Sequence, residues 1–225
     1  MRLILACLLC FAFALPAAAA EPGARTIVLV RHGHYAADPA ADPKLGPGLT
    51  PFGVTQARQV GARLAAWPQT FDATYVSPLQ RARDTANAIG KDLPDRSFEV
   101  VPDLAECTPP TRRADIMAGE DAAELAACQA QLERLFAAYF TPSPDGERTE
   151  LMVCHGNVIR YLVTRALGVD PTAWLGMSVG HASITRIRIE ADGSIKLLAI
   201  GDVGHIPPNL QTGATGDADR SLSLR

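Results

Sequence analysis

Thr26-Ile27-Val28-Leu29-Val30-Arg31-His32-Gly33-His34 is the stretch that decides the fold. Its unbroken apolar run suits a strand buried on both faces, as in a parallel sheet covered by helices. A polar turn carrying Arg31, His32 and His34 follows at once. A second segment has the same form: Leu151-Met152-Val153-Cys154 is apolar, and His155-Gly156-Asn157 follows it and opens a helical pattern. In open α/β sheets, ligands lie beyond the carboxyl ends of the strands. If the two strands are parallel neighbours, both histidines face one site.

The rest of the chain alternates in the same way. Residues 36–48 are rich in Ala, Asp, Pro and Gly and read as a loop. Thr50-Pro51 is an N-cap followed by proline at the first helical position, which predicts a helix to about residue 67. Residues 73–76 read as a strand, Ser77-Pro78 as the cap of a helix ending near Gly90, and 98–101 as a third strand. Residues 103–119 look irregular. A helix over 121–140 places Leu125, Cys128, Leu132, Phe136 and Tyr139 at helical spacing. After strand 151–154 a helix runs from about Gly156 to Gly168. Residues 184–189 and 195–200 flank Asp192-Gly193, a hairpin signal. The expected fold is α/β: a three-layer sandwich, mostly parallel in its central sheet, with helices on both faces. Residues 21–225 form one expected domain, with a frayed tail after about 210.

Composition agrees. The 225 residues are 48% hydrophobic and 20% charged, and 21 basic against 24 acidic residues leave a net charge of −3. That balance excludes the basic footprint of a nucleic-acid-binding protein. Met1-Arg2, the apolar run 3–15 and the alanines 17–20 read as a secretory signal peptide cut after Ala20. The expected location is therefore periplasmic or secreted, without stable membrane insertion after cleavage; an uncleaved segment would be a membrane anchor. Cys107, Cys128 and Cys154 remain. Cys107 and Cys128 are the one pair to consider for a disulfide, and two buried thiols are the favoured reading because Cys128 lies on the apolar face of a helix.

Arg31, His32, Arg81 and His155 form a constellation. Two guanidiniums beside two imidazoles make a poor structural cluster, because like charges repel, but a good receptor for a dianion. Helix N-termini add backbone donors. A histidine among such cations has its charged form disfavoured and remains a neutral nucleophile. His34, His181 and His205 read as rim or loop residues, and Arg83 and Arg160 as helix-surface residues. Arg112 and Arg113 are either solvated or suited to a second anionic group. Cys154-x5-Arg160 has the spacing of a thiol phosphatase, but bulky Val158 and Ile159 stand where a phosphate cradle needs open amides, and Arg31, His32 and Arg81 would have no role. After residue 20 no C-x-x-C or H-x-x-x-H occurs, and nothing gathers Asp38, Asp42 and Asp103, so no metal or cofactor is expected.

These motifs resemble the histidine phosphatase superfamily, also called phosphoglycerate-mutase-like. The resemblance rests on Arg31-His32-Gly33, Leu49-Thr50-Pro51-Phe52-Gly53, Ser77-Pro78-Leu79-x-Arg81-Ala82-x-x-Thr85-Ala86 and His155-Gly156-Asn157. It covers about residues 26–208. Cys154-His155-Gly156-Asn157-Val158-Ile159-Arg160-Tyr161, Ser183-Ile184-Thr185 and Gly201-Asp202-x-Gly204-x-x-Pro207-Pro208 look like the mitochondrial-type serine/threonine protein phosphatase branch. The resemblance implies His32 as the nucleophile, Arg31, Arg81 and His155 as phosphate ligands, and Glu106 as proton donor, with Asp103 the substitute acid. It implies a metal-independent phosphatase that hydrolyses phosphate monoesters through a phosphohistidine, acting on a phosphorylated small molecule or a phosphoprotein; with the signal-peptide reading, the expected protein is an exported phosphatase. The alternatives are a phosphoglycerate-mutase-type phosphotransferase and a catalytically silent binding module on the same fold.

Overall fold

The computed structural model describes residues 21–214. Residues 1–20, read above as a signal peptide, lie outside the described residues. The strands are β1 (Pro22–Arg31), β2 (Ala73–Val76), β3 (Glu99–Val100), β4 (Gly146–Cys154), β5 (Ile184–Ile189) and β6 (Ile195–Asp202). They form one sheet in the order β3-β2-β4-β1-β5-β6. The β3-β2, β2-β4 and β4-β1 pairs are parallel. The β1-β5 and β5-β6 pairs are antiparallel, the latter joined at Gly193, whose φ of 83° suits the turn.

The helices are α1 (Pro51–Ala65), α2 (Gln80–Gly90), the single turn α3 (Ala114–Met117), α4 (Ala122–Tyr139) and α5 (Gly156–Ala166). Alternation along the buried strands sends successive side chains to opposite layers. Ile27, Leu29 and Met152 pack with Leu132 and Leu135 of α4 and Ile159 and Leu162 of α5. Val28, Val30, Leu151 and Val153 pack with Val60 and Leu64 of α1 and Ala86 and Ile89 of α2. This is the expected three-layer α/β sandwich. No helix among the described residues is long and apolar enough to cross a membrane.

Register fixes the site. Arg31 lies opposite Cys154, and Val76 lies opposite Val153. The turns at His32, Ser77 and His155 therefore leave the sheet level with one another at a single edge.

Three expectations are corrected. Strand β3 shrinks to two residues, because its exposed edge pairs only with β2. The tail after 210 does not fray at once: Gln56 of α1 donates to the Leu210 carbonyl (2.8 Å) and to Thr212 Oγ1 (3.0 Å), and Thr212 is buried. Cys107 and Cys128 are disulfide-bonded, with Cα atoms 5.6 Å apart, rather than two buried thiols. The turn of 3-10 helix at Pro102–Leu104 brings the following loop down onto the Cys128 face of α4, a proximity no helical periodicity encodes.

Candidate active site

The His32 backbone is clamped on both sides. Its N–H donates to the Cys154 carbonyl (2.9 Å), and its carbonyl accepts from Ala182 (3.1 Å). The next residue must be small: a Cβ on Gly33 would stand 2.5 Å from the Gly53 carbonyl oxygen at the start of α1. The ring's Nδ1 lies 2.8 Å from the Gly33 carbonyl oxygen. A carbonyl only accepts, so Nδ1 carries the hydrogen and Nε2 is bare. That lone pair faces Arg81, whose Nε donates to it at 3.2 Å.

Arg81 sits in the first turn of α2, with its guanidinium over the Tyr35 ring at 5.0 Å. Ser77 does not cap that helix, which starts at Gln80. Its hydroxyl accepts from the Leu79 N–H (3.2 Å) and lies 2.7 Å from His155 Nε2. Ser77 is fully buried and its hydroxyl hydrogen meets no other acceptor among the described residues, so that hydrogen goes to Nε2. His155 therefore carries its hydrogen on Nδ1, which has no hydrogen-bond partner among the described residues and lies 4.0 Å from Glu106 Oε2.

Glu106 stands on the loop after the 3-10 turn, one residue before the disulfide. Its Oε1 accepts from the Asn157 N–H at the start of α5 (3.2 Å). The Asn157 side chain donates to the Cys107 carbonyl (3.0 Å), and Gln131 of α4 donates to the Ala105 carbonyl (2.9 Å). Arg31 is anchored more heavily. Its Nη1 donates to the carbonyls of Val179 (2.7 Å) and Gly213 (2.9 Å), its Nη2 lies 3.2 Å from His181 Nε2, and its Nε has no hydrogen-bond partner among the described residues.

Burial and like charge act together here. His32 and His155 are both held well below the usual imidazole range, first by burial and then by each other's neighbourhood of cations: His155, Arg31 and Arg81 around His32, and Arg81 and Arg31 around His155. Arg31 is pulled down to about 10, chiefly by burial, against the opposing pull of Glu106. Burial raises the Glu106 carboxyl, while Arg31, Arg81, Arg160 and the Asn157 N–H oppose the rise. His32, Glu106 and His155 each offer a ligand atom within 4.8 Å of the others. Arg31, Arg81 and Arg160 act electrostatically on the same carboxylate, so the field favours an anion over a metal ion.

The structure thus brings Arg31, His32, Arg81, Glu106 and His155 together. It places others differently from the sequence reading. His181 is not a rim residue: it is fully buried, 5.5 Å from the His32 ring. Arg160 is not a free surface residue; it donates to the Gly156 carbonyl (3.0 Å) and Asn157 Oδ1 (2.9 Å), beneath the Trp174 ring. Asp103 is paired with Arg134 (2.8 Å), away from the cluster. Arg112 and Arg113 pair with Asp170 and Asp115. His34 lies 2.9 Å from Thr50 Oγ1, and His205 donates to the Ala182 carbonyl (3.0 Å). Arg83 lines a separate cavity beside β2 and β3. The Cys154 thiol is fully buried, and burial holds its pKa far above the ordinary thiol value, which removes it as a nucleophile. Sequence reasoning missed His181, Arg160 and the Ser77–His155 bond. Only the Cys154-x5-Arg160 spacing hinted at one of them.

A layered α/β sheet whose strand ends gather two neutral histidines, paired guanidiniums and one raised carboxyl fits a class of proteins that bind phosphate groups. The family model described as histidine phosphatase superfamily (branch 1) matches residues 27–110 and 111–202, and the chain belongs to that superfamily. It is 38% identical over 193 residues to the serine/threonine-protein phosphatase Pgam5, mitochondrial, of Caenorhabditis elegans, covering 82% of this chain and 65% of that protein. It is 33% identical to the Xenopus tropicalis counterpart, covering 82% and 66%. The chain thus spans slightly less than two thirds of the length of these relatives. Among solved structures, a phosphoglycerate mutase from Plasmodium falciparum matches with a TM-score of 0.58 at 29% identity, over 82% of this chain and 95% of that one. Family and relatives support a metal-independent phosphatase. They overturn the expected periplasmic or secreted location, because these relatives are mitochondrial proteins.

Proposed function

We propose that the described residues act as one catalytic domain that hydrolyses phosphate monoesters through a phosphohistidine at His32. The observation that carries this reading is the direction of the His32 lone pair: Nε2 is bare and faces the Arg81 guanidinium. An arriving phosphate draws that guanidinium onto its oxygens and leaves Nε2 free to attack phosphorus. Arg31, Arg81 and the His155 Nδ1–H hold the phosphoryl oxygens and neutralise charge as it spreads over them.

The N–P bond forms as the P–O bond to the leaving group breaks. Glu106 supplies the proton that the departing alkoxide needs, and burial, which raises its pKa, favours the protonated form that step uses. Water then attacks the phosphohistidine, Glu106 takes up the water's proton, and the N–P bond breaks to release phosphate and the neutral imidazole. Glu106 also lines a cavity of about 640 Å³ with Thr108, Glu124 and Gln131. The names of the relatives point to phosphoserine and phosphothreonine in proteins as the substrate class. Such alkyl phosphates are the esters that most need a proton donor.

Phosphate on nitrogen is acid-labile and comparatively stable to base. Quenching turnover of a labelled phosphate ester in base should trap label on His32, and His32→Ala should carry none. Label that persists in that variant would refute the assignment.

A further inference from the structure

Arg31 is tethered by residues that no motif marks. Its Nη2 faces His181 Nε2 at 3.2 Å. A guanidinium only donates, so Nε2 of His181 is the bare nitrogen and accepts. Nδ1 therefore carries the hydrogen and donates to Thr212 Oγ1 at 2.9 Å. The backbone repeats the link, since the His181 N–H donates to the Thr212 carbonyl at 2.9 Å. One residue on, the Gly213 carbonyl accepts from Arg31 Nη1 at 2.9 Å. Gly213 has φ +72°, and a Cβ there would stand 2.6 Å from His181 Nδ1, so glycine alone lets the chain lie flat on the imidazole. Gln56 of α1 holds the same segment from the other side, through Leu210 and Thr212.

We propose that His181, with Thr212 and Gly213, is a positioning device for phosphate recognition: a strap from the end of the described chain that orients the Arg31 guanidinium from behind. With Nη1 and Nη2 occupied by the strap and Val179, Arg31 keeps its unpartnered Nε beside Gly156, at the first residue of α5. The strap's hydrogen bonds run to Arg31, while the His181 ring only lies beside that of His32 at 5.5 Å, so it acts through Arg31. The inference rests on the reading of Arg31 as a phosphate ligand. A protonated His181 would aim a hydrogen at the guanidinium, and burial followed by Arg31 holds its pKa far below the ordinary value.

The test is calorimetric binding of inorganic phosphate to the full chain, with KM and kcat on an aryl phosphate in parallel. Hydrogen bonds to charged groups are worth about 1.5–3 kcal/mol, so His181→Ala should weaken phosphate binding about 10- to 100-fold and raise KM. His181→Gln, whose amide oxygen can accept where Nε2 did, should restore most of that loss, which a merely space-filling role would not predict. Thr212→Val should weaken binding in the natural chain but add nothing in the His181→Ala background. Wild-type phosphate affinity in His181→Ala, while Arg31→Ala has lost it, overturns the strap alone. So does a Gln variant no better than Ala. Wild-type affinity in Arg31→Ala overturns the reading of Arg31 and the strap with it. If His181→Ala does not fold, Thr212→Val and Gly213→Ala decide: lowered phosphate affinity in a chain of unchanged circular dichroism supports the strap, and unchanged affinity overturns it.

Discussion

His32 and His155 end neighbouring parallel strands, with ring centroids 5.0 Å apart, and both are buried and neutral. They nevertheless present opposite chemistry to the space between them. His32 gives its Nδ1 hydrogen to a backbone carbonyl and offers a bare Nε2. His155 takes a hydrogen from the Ser77 hydroxyl on Nε2 and offers an Nδ1–H. The same ring in the same field becomes a nucleophile in one place and an oxyanion donor in the other. The partner of the nitrogen that faces away from the site decides which.

The sharpest way to break this contrast is to remove the nucleophile. His32→Ala should lower turnover by about 10⁴-fold or more, the scale on which a covalent nucleophile matters, while inorganic phosphate still binds by calorimetry. Turnover within tenfold of the natural chain would end the assignment.

Glu106 faces the donor histidine rather than the nucleophile, so its loss should fall on the leaving group. Glu106→Gln should slow an alkyl phosphate by about 10² to 10⁴-fold and an activated aryl phosphate far less. The natural enzyme should lose alkyl phosphatase rate as pH rises through the raised carboxyl pKa, because the proton donor is then spent; the variant should lack that limb. Equal losses on both esters would mean that another group is the acid, and Asp103, paired with Arg134 outside the cluster, is a poor substitute.

His155→Ala removes a donor to the oxyanion, which typically costs about 10² to 10³-fold in kcat. Label should still appear on His32, more slowly. Complete loss of the label would place His155 in the bond-making step and erase the distinction between the two rings.

The smallest effect tests the cause of the contrast. Ser77→Ala leaves the His155 Nε2 without its hydrogen, so the ring can carry its proton on either nitrogen. A fall in kcat of about tenfold is expected, in line with the loss of one buried hydrogen bond. Nitrogen-15 spectra of the His155 ring should show the proton shared between the two nitrogens, while His32 stays unchanged. An unaltered His155 tautomer would show that Ser77 does not direct it.

Arg31, His32, Arg81 and His155 could be read from the sequence, because each belongs to a local signal: a polar turn directly after an apolar strand, the first turn of a helix, or a short motif; Glu106, in an irregular stretch, came only from the family resemblance. The Thr50 cap was legible for the same reason, and its hydroxyl accepts from the Gly53 N–H at 3.1 Å. Ser77 shows where local reasoning fails. Its place before a helix reads as a cap, yet its hydroxyl goes to a histidine 78 residues away.

The sequence by itself determined the layered fold, the two histidine turns and a cluster of cationic side chains suited to an anion. Hydrophobic period, turn chemistry and the charge of neighbouring residues act over a few positions, so they survive in a one-dimensional string. Only the tertiary structure decided the level register of Arg31 with Cys154, the partners of His32, His155 and His181, the half-burial of Arg160, the Cys107–Cys128 bond and the strap from Thr212 and Gly213. Each of these depends on what a polar atom meets across the fold. A buried donor or acceptor takes whichever partner the packing supplies, however far away that partner stands in the chain.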